Sequence, residues 1–104
     1  MAKRAARAGA ERDPFEPLAG PVGDTLDLHG FGAAAARDAT IAFVGRARRR
    51  APGSLVHVIT GRGRGSERGP VLKGVVRTLL RSGQLPAADW GEDLDGGGFL
   101  IRLR

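Results

Sequence analysis

The chain has 104 residues, with 17 Lys+Arg against 11 Asp+Glu for a net charge of +6, and it contains no cysteine. That length holds one compact domain, and the missing thiols exclude disulfides and thiolate zinc sites, which points to a reducing compartment. Its apolar runs fall far short of the roughly 20 residues a membrane helix needs, and the basic N-terminus leads into no apolar signal segment, so a soluble cytoplasmic protein is expected.

Residues 1–23 combine Lys3, Arg4, Arg7 and Arg12 with Pro14, Pro17 and Pro21 and show neither helical nor strand periodicity. They read as a flexible basic tail ahead of a folded unit at 24–104. Residues 25–29 alternate as a short strand does, which puts Leu26 and Leu28 on one face and Asp27 and His29 on the other. A helix is predicted over 33–50, where Ala36, Ala39, Thr40, Phe43, Val44 and Ala47 form one stripe before Pro52 and Gly53 end it.

Residues 55–60 form a second strand, and a strand, helix, strand unit of this length pairs its strands in parallel through a right-handed crossover. A glycine- and arginine-rich loop follows at 61–69. The clearest helix spans 70–82, where Leu72, Val75, Val76, Leu79 and Leu80 share a face and Pro70 suits the first turn. Lys73, Arg77 and Arg81 recur at every fourth position beside that face and are expected as an exposed basic stripe. A weak strand at 88–91 and a strong one at 99–103, after Gly96, Gly97 and Gly98, complete the chain. This order predicts an α/β two-layer sandwich with both helices on one face of the sheet.

Charge is unevenly spread. From Arg46 to Arg81 the charged residues are Arg46, Arg48, Arg49, Arg50, Arg62, Arg64, Arg68, Lys73, Arg77 and Arg81 against Glu67 alone, while Asp89, Glu92, Asp93 and Asp95 cluster near the end. A basic side that attracts polyanions is expected, with nucleic acid as the partner. The glycines of the 61–65 loop free backbone amides for a phosphate, the next helix N-terminus adds donors, and Arg62 and Arg64 add charge and bidentate hydrogen bonds. Dinucleotide and P-loop spacings both fail: a GxGxxG begun at Gly61 meets Ser66, one begun at Gly63 meets Arg68, and no GK[ST] follows.

Ligands of open parallel sheets bind beyond the carboxyl ends of strands, where Asp27, His29 and the 61–65 loop are all expected to line one concave site. There His29 could transfer a proton in phosphodiester cleavage, and Asp27 could orient it or hold a divalent metal, magnesium or manganese. His57, set among Leu55, Val56, Val58 and Ile59, reads as structural, and Trp90 as a partly buried aromatic.

LDLHG at 26–30, VITGRGRGS at 58–66, GPVLKGVV at 69–76 and GGGFLIRL at 96–103, in that order, resemble the Smr (small MutS-related) domain family over residues 24–104. The resemblance implies a fold similar to the C-terminal domain of bacterial translation initiation factor three. It also implies nucleic-acid binding and endonuclease activity on DNA or on RNA, including messenger RNA on stalled ribosomes, so the ribosome joins the expected partners. Carried over by motif, Asp27 and His29 belong to the LDLHG box, and Gly61, Arg62 and Gly63 to the glycine-basic-glycine box. Where many relatives have histidine, lysine, arginine and a small residue, this chain has Thr60, Arg62, Lys73 and Phe99. The expected function is therefore nucleic-acid binding with endonucleolytic cleavage. A binding module without catalysis is the alternative, and the broad basic surface disfavours a small-molecule phosphate enzyme.

Overall fold

The computed structural model describes residues 16–61 and 69–104. Among them the elements run β1 (Asp24–Asp27), α1 (Ala33–Arg50), β2 (Leu55–Ile59), α2 (Gly69–Arg81), β3 (Ala87–Glu92) and β4 (Gly98–Leu103), the order that the periodicities predict. The strands form one sheet in the order β1-β2-β4-β3. β1 and β2 are parallel, with Asp27 opposite Ile59, while β4 runs antiparallel to both β2 and β3. β2 and β3 therefore point the same way, and the carboxyl ends of β1, β2 and β3 lie at one end of the sheet.

Alternation decides which face is covered. Val56 and Val58 of β2 pair with Ile101 and Phe99 of β4, and all four are fully buried. Leu28, Phe43, Val44, Leu72, Val76 and Leu79 from β1's end and the two helices join them in one apolar cluster. Both helices thus pack on the same face and on each other. α1 ends in Arg48, Arg49 and Arg50, cations that suit the negative end of a helix.

The other face carries Thr25, Asp27, His57, Leu100 and Arg102. Residues 16–20, expected as part of a flexible tail, are tied to the sheet here instead. Arg102 donates to the carbonyls of Pro17 at 2.8 Å, Ala19 at 2.7 Å and Gly53 at 3.0 Å. Leu18 packs where Gly91 leaves room, since a Cβ on Gly91 would come within 3.1 Å of its Cδ1. Contacts therefore cross the expected boundary at 23/24; the rest of the tail reading, residues 1–15, lies outside the described residues.

β1 also stops earlier than expected. The Leu28 amide still donates to the Ile59 carbonyl at 2.8 Å, but the next amide, that of His29, turns back to the Asp27 carboxylate at 3.0 Å. This local side-chain acceptor competes with the ladder, and Gly30, at φ +84°, completes the turn in a conformation that side chains disfavour. No described helix is long and apolar enough to cross a membrane.

Candidate nucleic-acid site

Parallel pairing of β1 and β2 brings the LDLHG turn beside the point where the glycine loop leaves β2. The Asp27 carboxylate receives two groups from His29, its backbone amide and ring Nδ1, each at 3.0 Å from the same oxygen. An ionised carboxylate only accepts, so Nδ1 carries the proton of this bond and, in the neutral ring, Nε2 is left as an acceptor. Nε2 has no hydrogen-bond partner among the described residues, and the His29 side chain is 78% exposed. The His29 amide holds the Asp27 carboxyl below its usual range; partial burial opposes this, and the imidazole lowers it further.

Just after β2, Thr60 is buried and Gly61 opens the loop. Their amides both donate to the Gly97 carbonyl, at 2.8 and 3.0 Å, which pins the root of the loop to the turn between β3 and β4. Gly98 makes this possible, because a Cβ there would lie 2.3 Å from the Val58 carbonyl oxygen. A cavity of about 230 Å³ on the open face is lined by His57, Ile59, Gly61, Asp93, Asp95 and Gly97. A larger hollow of about 520 Å³ lies between the helices, lined by Ala33, Arg37, Val71 and Val75 among others.

The predicted basic residues divide. Arg62, Gly63, Arg64 and Gly65 lie outside the described residues. Lys73 reaches the site end of the sheet, its Nζ lying 3.7 Å from where a Cβ on Gly96 would sit. Arg77 is not a free member of an exposed stripe: it pairs with Glu92 of β3, and its guanidinium lies 5.6 Å from the Phe99 ring centre. Arg81 is exposed but sits about 12 Å further along α2 than Lys73. The basic stretch is likewise not one-sided, because Arg50 pairs with Asp24 at 2.7 Å, at the opposite end of β1 from His29. Sequence spacing located these arginines along the chain, whereas the direction of α1 separates them in space.

His57, read as structural, has a partner that the sequence did not reveal: its Nε2 lies 2.8 Å from Asp93 Oδ2. The available signal was alternation, which sets His57 opposite the core-facing Val56 and Val58. Trp90 is partly buried as expected, 6.0 Å from Phe99, so the Phe99 departure from the family pattern fills the core. Among the described residues no three His, Asp or Glu side chains converge as a metal site would require. Asp27 and His29 alone could offer one carboxylate and one imidazole to a divalent cation.

The Smr domain family profile matches residues 26–98. The fold is similar to the Smr domain of Thermus thermophilus MutS2, with a TM-score of 0.63 and 21% identity over 78% of this chain and 98% of that one. No curated protein matches the sequence. With its profile match covering most of the chain, from the LDLHG turn to the end of the glycine run, the chain belongs to the Smr domain family.

Proposed function

We propose that this chain binds nucleic acid and cleaves its phosphodiester backbone internally, the activity for which its family is known. The observation that carries the reading is the juxtaposition of the Asp27–His29 pair with the root of the glycine loop, through Asp27 opposite Ile59 and the Leu28–Ile59 bond. A phosphate held by the loop, with Arg62 and Arg64 neutralising it and Lys73 adding charge, would lie beside His29 Nε2. In the neutral imidazole Nε2 is an acceptor, able to take a proton from an attacking hydroxyl or water; the phosphorus–oxygen bond to the leaving group then breaks, and the departing oxygen takes a proton from the imidazolium or from water. Asp27 stabilises the imidazolium that forms and keeps the ring in the right tautomer.

Backbone contacts read charge rather than base identity, so both DNA and RNA are candidate substrates. The test is incubation of the purified chain with supercoiled DNA and with single-stranded RNA, each with magnesium, with manganese and with a chelator. Nicks or internal cuts support the reading. Binding to either polymer with no cutting under any of these conditions replaces it with a non-catalytic nucleic-acid module.

A further inference from the structure

We propose that His57 and Asp93 are positioning residues for the glycine loop, a role that rests on the nucleic-acid reading above. His57 projects from the middle of β2 onto the open face and meets Asp93 Oδ2 at 2.8 Å. The other oxygen of the same carboxylate accepts the Gly97 amide at 2.9 Å. The Gly97 carbonyl then takes the amides of Thr60 and Gly61 at 2.8 and 3.0 Å. An unbroken chain of hydrogen bonds therefore runs from His57 through the β3–β4 turn to the first residue of the loop.

This pair differs from Asp27–His29 in its surroundings. Its side chains are only 25% and 15% exposed, against 78% and 50% for His29 and Asp27. Shielding from water makes a hydrogen-bonded link stiffer and costlier to break. His57 Nε2 is engaged by Asp93, so His57 acts through that carboxylate rather than on a phosphate. Its effect is to fix where the loop begins. Displacement of a binding group by even about 1 Å costs an active site much of its rate.

Amide hydrogen exchange in the full chain reads this directly. In His57→Leu, exchange at Thr60 and Gly61 should rise about tenfold relative to the β4 amides of Ile101 and Leu103, the scale of one lost hydrogen bond. His57→Gln sets an amide nitrogen near the former Nε2 and should restore protection to within about twofold of the unsubstituted chain. Asp93→Ala, which removes both acceptor oxygens, should raise exchange at the same two amides and covers the case in which His57→Leu does not fold. Cleavage should fall with the loss of protection in His57→Leu and return in His57→Gln. Unchanged exchange at Thr60 and Gly61, or a rise spread evenly over β4, overturns the proposal. If the unsubstituted chain neither binds nor cuts nucleic acid, the functional reading falls while the exchange data still decide the clamp.

Discussion

Two residues at the site end of the sheet illustrate how local chemistry sets local structure. Gly98 admits the β2 backbone so closely that Gly98→Ala must push β2 and β4 apart, since the clashing atoms are Val58 and Ile59 backbone rather than flexible side chains. Urea unfolding should show a loss of about 1–3 kcal/mol, the usual range for an overpacked site. Asp27 makes a prediction about pH. Its carboxyl is held below the ordinary carboxylate value, first by the His29 amide. The stabilisation that this provides is complete above the unfolded value of about 3.9 and disappears as pH falls through the lower folded value. Asp27→Asn, which cannot titrate, should lack that part of the acid dependence when stability is followed by urea unfolding from pH 6 down to pH 2.

At the scale of elements, the helices were the most legible part of the sequence. The stripes through Phe43 and Val44 and through Leu72, Val76 and Leu79 predict α1 and α2 because their spacing is helical and their burial follows it. Parallel pairing of β1 with β2 was legible too, as a consequence of the helix between them. What spacing does not encode is cross-strand partnership at long range. The Arg102 contacts to Pro17 and Ala19, the His57–Asp93 bond and the Arg77–Glu92 pair join positions whose proximity depends on β4 inserting between β2 and β3. Arg77 shows the consequence. Arg77→Ala should cost about 0.5–1 kcal/mol, because it loses a partly shielded ion pair and a contact with Phe99, whereas Arg81→Ala should stay within about 0.5 kcal/mol. Thermal or urea unfolding of the two variants checks the difference. At the site, the Asp27–His29 pair was legible because its residues are sequence neighbours, and the loop's anchorage to Gly97 was not.

For the whole molecule, the distribution of charge bears on how a polyanion would lie. α1 spans about 27 Å, so Arg46, Arg48 and Arg49 near its end are far from His29. If nucleic acid is held at the carboxyl end of the sheet, replacing these three by Gln should change the logarithmic salt slope of affinity by less than one duplex phosphate, whose contribution is about 0.9. Lys73→Gln should flatten it by about that amount. Both follow from binding titrations at several salt concentrations. The central claim is that the Asp27–His29 pair does chemistry on a phosphate that other groups bind. It is tested most directly by paired cleavage and binding measurements on His29→Ala, with circular dichroism to confirm the fold. The account predicts a loss of cleavage of about 100- to 10,000-fold, the range for a positioned acid or base, with affinity nearly unchanged. Folded His29→Ala protein that cuts DNA and RNA at the unsubstituted rate would contradict it.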